Sequence, residues 1–317
     1  MAFACNILAD SVSPAGVRLT TFEVTFPRIV LAEFNTHRVL SRNSASSRAI
    51  PVAKMIQRVM EDPYIPTSWG KNQKGMQAGE DLDREDAQVA DSMWLTARDQ
   101  AVERAQKLLD LGVHKQITNR LLEPWMWQTV IVTTTEWSNF FNLRNHSAAH
   151  PDIQTPARMM QQLYESHEPE KLGYGEWHLP LVQKEERNME FGCDSAPSNA
   201  LSTPPVVKIS AGRCARVSYL THDGKRDPAA DIALHDSLLA SGHMSPFEHV
   251  ARPAHLTDDL LCMAKVSDLM TRPNGEVFVP KDKQWHGNFR GWVQYRKTIP
   301  GESDMLGYLK QQERSHG

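Results

Sequence analysis

A chain of 317 residues is long enough for one large domain or two modest ones with a buried core. Its 35 basic and 38 acidic side chains give a formal net charge of −3, which argues against a protein held on a nucleic-acid duplex by a basic surface. Composition is that of an ordinary globule, no apolar run approaches the roughly 20 residues that span a bilayer, and no secretory leader is read, so a cytoplasmic protein is expected.

In chain order, residues 17–26 alternate β-branched and polar side chains and are stopped by Pro27, which predicts a strand. Residues 29–34 read as a helix with Pro27 near its first turn. Residues 36–50 are polar, 52–60 form a short amphipathic helix, and 62–82, rich in Pro and Gly, are loop. The clearest helix covers 85–111, with Val89, Met93, Ala97, Ala101, Ala105 and Leu108 on one face and Gly112 as its stop. A shorter helix at 115–122 precedes Pro124. Then come a strand at 127–135, helical character at 136–144, and a helix at 153–165 with Pro156 in its first turn.

Residues 183–205 are charged, then rich in Ser and Pro, without an apolar period; they mark a boundary or linker. Beyond it, 206–209 reads as a strand, 228–240 as a helix with Ile232, Leu234, Leu238 and Leu239 inside, and 249–256 as another strand; 291–297 is a short element of open type. Strands and helices alternate without a regular βαβ rhythm, so the expected class is α+β or mixed α/β.

The densest polar cluster is 36–48, where His37, Arg38, Ser41, Arg42, Asn43, Ser44, Ser46, Ser47 and Arg48 offer donors suited to phosphate oxygens. The alternative is a solvated loop whose serines cap the next helix. A second basic set is His114, Lys115, Arg120 and Arg144, for which charge complementing a helix dipole is the plain alternative. A third lies at 242–249 and 287–292. His243, Glu248 and His249 lack the HExxH spacing, and Cys5, Cys193, Cys214 and Cys262 are scattered, so no metal site is expected. Glycine-rich phosphate loops and a GxSxG elbow are absent, and no cysteine has an activating partner. A nucleotide would therefore be held by side chains, and a protein nucleophile is not expected.

At these clusters the chain resembles the flavin-dependent thymidylate synthases. His37, Arg38, Ser41, Asn43, Ser46 and Arg48 fall in register with the family's Arg-His-Arg signature, preceded by Phe22, Val24 and Pro27. Residues 119–124 resemble the Arg-x-x-x-Pro block, and 139–144 the block ending in the substrate-handling arginine. Residues 214–219 and 242–249 resemble the opening blocks, and 287–292 a Gly-Asn-x-Arg-x-Trp block. The order differs from the family's, because the opening blocks follow the His-Arg loop here. Circular permutation or two family-like halves in tandem would produce this order. The tandem reading, with 1–182 and 206–317 joined by 183–205, is favoured because each half keeps its own strands, helices and share of the motifs. Thr36, Glu33, Ser44 and Ala148 depart from the family's usual arginine, glutamine, glutamate and histidine.

The resemblance implies antiparallel-rich sheets flanked by helices and reductive methylation of dUMP to dTMP. FAD is the implied cofactor, with NADPH and methylenetetrahydrofolate as co-substrates. It assigns Arg144 to catalysis and Glu33, Ser46, Ser47, Arg48, Arg120 and Arg144 to the substrate. It assigns His37, Arg38, Asn43, Asn139, Ser218, His249, Asn288 and Arg290 to the flavin. It further implies a homo-oligomer with sites at subunit or half-domain interfaces, and no nucleic-acid or membrane partner. Two other readings are a related hydroxymethylase of dUMP or dCMP and a non-catalytic nucleotide- or RNA-binding relative.

Overall fold

The computed structural model describes residues 3–188, 203–217, 226–255, 270–271, 273, 275, 277–278, 280 and 283–302. Its centre is a five-stranded sheet of order β3-β4-β2-β1-β5. Strands β1 (Ala4–Val12) and β2 (Arg18–Pro27) form an antiparallel hairpin, and β2 pairs antiparallel with β4 (Trp127–Thr134) from Thr20 to Pro27. Strand β3 (Ser41–Ser44) pairs antiparallel with β4, and the short β5 (Glu170–Lys171) lies parallel to β1. The class is α+β, as the sequence pattern implied.

Alternation along β2 and β4 gives the sheet two unlike faces. One carries Phe22, Val24, Phe26, Val130 and Val132, buried against α1 (Leu31–Asn35), α5 (Ser138–Arg144) and α6 (Pro151–Ser166) through Phe34, Phe140, Phe141, Ile153 and Met160. The other carries Thr21, Thr25, Ile131 and Thr133. There Thr21 and Thr133 hydrogen-bond at 2.7 Å, and Thr25 and Thr129 at 2.8 Å. Residues beyond 203 cover this second face: Cys214 and Val217 pack on Ile131, while Ala251, Phe289 and Trp292 pack on Val17 and Leu19.

Helix α2 (Val52–Glu61), helix α3 (Arg84–Asp110), α4 (Lys115–Thr118) and the 3-10 turn Asn119–Trp125 form a lateral lobe around Met55, Val59, Ala105, Leu122 and Trp125. Asp83 caps α3 by accepting from Asp86 N–H at 2.9 Å. The face expected for α3 holds at Ala101 and Ala105, which pack into the lobe, and is corrected at Val89 and Met93, which are 52% and 68% exposed. Trp94 sets the inward face instead, donating its indole N–H to the Tyr64 carbonyl at 2.8 Å and packing with Trp125. Helix α6 begins at Pro151, so Pro156 falls in its second turn and not its first.

The strand expected at 206–209 is instead the start of helix α7 (Pro205–Arg216). Pro205 occupies the first turn, where its missing N–H costs nothing, and the small residues Ala211, Gly212, Cys214 and Ala215 that follow pack closely. Helix α8 (Pro228–Ala240) crosses it so tightly that a Cβ on Gly212 would lie 2.2 Å from the Asp231 carbonyl oxygen. At this crossing Arg213 is buried between Asp231 (2.8 Å) and Glu186 (2.8 Å), so the stretch read as linker contributes a core carboxylate. Further on, β6 (Ala251–Pro253) pairs with β11 (Trp292–Gln294). Two short pairs, β7 (Met270–Thr271) with β8 (Val277–Phe278) and β9 (Trp285–His286) with β10 (Phe289–Arg290), complete the described strands. Among the described residues no helix is long and apolar enough to cross a membrane.

Candidate active site

The loop that leaves β3 is irregular, so its backbone carbonyls need partners from elsewhere. Side-chain amides supply them. Gln128 donates to the Ala45 carbonyl at 2.9 Å, and Asn119 donates to those of Ser47 (2.7 Å) and Ile50 (2.9 Å). Asn43 reaches across to the Cys214 carbonyl at 2.8 Å, and Ser47 donates its hydroxyl to Glu123 at 3.0 Å. Residues 43–50 are thus positioned by groups from both ends of the chain.

Between this loop and the second segment lies a cavity of about 340 Å³, lined on one side by Asn43, Ser46 and Arg48 and on the other by Ala215, His243 and Ser245. Arg48 is exposed, and its guanidinium makes no ion pair among the described residues; its backbone N–H donates to Ser46 Oγ at 3.4 Å. A free cation beside hydroxyls, an amide and an imidazole is a donor set for an anion. Of the expected site residues, Asn43 of the flavin set and Ser46 and Arg48 of the substrate set line this cavity. Sequence reading identified the 242–249 block as a motif but took only His249 from it, whereas His243 and Ser245 line the cavity.

Arg144 sits at the end of α5 and is not among the residues lining that cavity. It donates Nε–H to His37 Nε2 at 2.8 Å, and its terminal nitrogen donates to Thr36 Oγ1 (2.9 Å) and the Glu33 carbonyl (3.3 Å). His37 therefore carries its proton on Nδ1. Burial first, then the charges of Arg144 and Arg42, pushes its pKa down to about 4, so the ring is neutral. Thr36 stands where the family has arginine, and it accepts a bond from Arg144 that a cation could not. One carboxylate oxygen of Glu33 is buried without a partner among the described residues.

The remaining expected residues are divided. Arg120 is paired with Glu123 (2.7 Å), which also accepts from Arg28 (3.1 Å). Arg38 and Asn139 are exposed. Asn288 donates to Ser41 Oγ at 3.4 Å. Arg290 pairs with Glu136 at 2.6 Å in a separate open cleft of about 680 Å³. His249 is fully buried, its Nδ1 2.8 Å from Thr133 Oγ1. Ser218 lies outside the described residues. Within one chain the substrate and flavin sets thus occupy several places and do not form a single ring of contacts.

The sequence profile described as thymidylate synthase complementing protein matches residues 10–170. The chain belongs to that family. The match spans β1 to β5, including the His-Arg loop, the Arg120 turn and the Arg144 helix. Membership makes the protein a nucleotide-modifying enzyme of the flavin-dependent thymidylate synthase type. Two solved structures are similar over 51% of this chain: a UMP/dUMP methylase PolB from Streptomyces cacaoi bound with 5-Br dUMP (18% identity, 90% of that chain, TM-score 0.43) and the same methylase with 5-Br UMP (19%, 88%, 0.43). No curated protein matches.

Proposed function

We propose that this protein methylates dUMP reductively to dTMP, taking the carbon from methylenetetrahydrofolate, without a protein nucleophile. The observation that carries the proposal is the Arg48 guanidinium, without an ion-pair partner among the described residues, in a cavity walled by the His-Arg loop and by the 242–246 turn. Its donors fit a nucleotide or dinucleotide phosphate, and a cavity of that volume holds one nucleotide unit. FAD, held by the donors of His37, Arg38, Asn43 and Asn288 and reduced by NADPH, would supply the hydride.

The chain's own work is orientation and charge stabilisation. Arg48 and Ser46 hold phosphate oxygens, with Ser47 and Arg120 behind them in the Glu123 cluster. Arg144, held by neutral His37 and by Thr36, presents a fixed cation to negative charge developing on a pyrimidine ring. His37, Arg38, Asn43 and Asn139 on one side, and Ser218, His249, Asn288 and Arg290 on the other, are the proposed flavin contacts. Neither described cysteine serves as a nucleophile: burial raises the Cys214 thiol pKa strongly and pushes that of Cys5 up to about 12. Because Arg144 does not line the Arg48 cavity, a site that uses both is completed in a homo-oligomer. Residues 1–182 and 206–317 each contribute a wall, in keeping with two synthase-like halves.

A second reading is hydroxymethylation of dUMP or dCMP. The unpartnered buried oxygen of Glu33, at a position where the family has glutamine, favours it, since a carboxylate accepts from a cytosine amino group. Purified protein should show flavin absorption bands that shift with dUMP. Separation of products after incubation with each nucleotide distinguishes methyl from hydroxymethyl transfer. Protein that stays colourless after FAD is added would instead be a nucleotide binder.

A further inference from the structure

On the sheet face covered by the second segment, five side chains form an unbroken line. Ser11 Oγ lies 2.9 Å from His178 Nδ1, and His178 Nε2 lies 2.8 Å from Thr21 Oγ1. Thr21 Oγ1 lies 2.7 Å from Thr133 Oγ1, which lies 2.8 Å from His249 Nδ1. All five groups are buried, and His249 Nε2 is buried with no partner among the described residues. His178 is fixed from outside the line, because its backbone N–H donates to the Ala251 carbonyl at 2.7 Å. The line thus joins β1, β2 and β4 to the loop after α6 and to the 242–249 turn whose His243 and Ser245 line the cavity.

Counting protons constrains the two rings. Three bonds link His178 to His249, and the two threonine hydroxyls bring two protons, so the third comes from one ring. If His178 donates from Nε2, both hydroxyls point toward His249, which accepts at Nδ1 and carries its proton on Nε2. If His249 donates from Nδ1, both hydroxyls point the other way, His178 accepts at Nε2, and its own Nδ1–H donates to Ser11. Of the two mixed arrangements, one brings four protons to three bonds and leaves a buried hydroxyl proton without an acceptor, and the other brings two and sets two acceptors against each other; both are costly.

We infer that His178 and His249 share one tautomeric state, and that His178, Thr21 and Thr133 are positioning residues that set whether the unpartnered His249 Nε2 donates or accepts. This inference stands independently of the proposed reaction. A water or ligand atom meeting Nε2 selects one direction for the whole line, and the reversal is carried to Ser11 on β1.

The test is the long-range proton–nitrogen spectrum of the full-length protein labelled on histidine nitrogens, with the two rings assigned from His178→Asn and His249→Asn variants. Wild-type protein should show both rings in the same tautomer, with populations that move together as temperature changes. Opposite tautomers, or populations that vary independently, would overturn the inference. Thr133→Val should shift the His249 Nδ1 resonance, and Thr133→Ser should restore it. An Nδ1 resonance indifferent to Thr133→Val would also overturn it, and the wild-type comparison holds even where a variant does not fold.

Discussion

Asn43 donates its side-chain amide to the backbone carbonyl of Cys214 at 2.8 Å, joining the His-Arg loop to helix α7 across 171 positions of sequence. The bond is buried and sits at one wall of the cavity that contains Arg48. Asn43→Ala should therefore cost about 1–3 kcal/mol in urea unfolding, because a buried carbonyl loses its donor. Nucleotide binding should weaken in the same variant.

Arg48 offers the cleanest separation of function from stability. It is exposed and unpaired, so Arg48→Ala should leave the unfolding free energy within about 0.5 kcal/mol. The same change removes charge-assisted bonds worth about 1.5–3 kcal/mol, a loss of roughly ten- to hundredfold in nucleotide affinity by calorimetry. Equal affinity in the variant would remove Arg48 from the site.

His178 and His249 make stability fall with acid. Burial lowers both from 6.5 to about 3. Between those values the unfolded chain binds more protons than the folded one, so stability declines as pH drops below about 6.5 and is unaffected above it. Together the two rings should give a slope of about 3 kcal/mol per pH unit in the middle of that window. Chemical denaturation at pH 7, 6 and 5 measures it directly.

At the α7–α8 crossing, Gly212→Ala would place a methyl carbon 2.2 Å from the Asp231 carbonyl oxygen. The neighbour is backbone and cannot rotate away, so the helices must separate, at a cost of about 1–3 kcal/mol or more. A lowered melting temperature, with α-helical circular dichroism retained at low temperature, is the expected result.

Asp231 also accepts from Arg213 at 2.8 Å and Arg216 at 2.7 Å, all at the same crossing. Asp231→Ala removes one of the two carboxylates that face the buried Arg213, leaving it Glu186 and the Leu181 carbonyl, and should destabilise by about 3–5 kcal/mol. Replacing Arg213 and Asp231 together by apolar residues should cost less than Asp231→Ala does.

Elements whose side chains repeat with a clear period were legible in the sequence: β2, α2, β4, α5 and α8 stand where alternation or helical spacing put them. Strand β1 was missed because a bulge between Ile7 and Ala9 breaks its alternation. Strand β3 has the sequence Ser-Arg-Asn-Ser, with no propensity of its own; it is a strand because β4 pairs with it. Helix α7 was read as a strand from the β-branched Val206, Val207 and Ile209, which packing against α8 overrode. In the site, the density of donors picked out Ser46 and Arg48. The pairing of Arg144 with His37 and the burial of His178 depend on tertiary contacts between distant residues, and no local pattern announces them.

The cavity's two walls, near residues 43–48 and 243–245, belong to one polypeptide. Bringing them together is consequently a first-order event, governed by the effective concentration of two tethered surfaces and not by how much protein is present. Dilution leaves this part of the binding surface assembled.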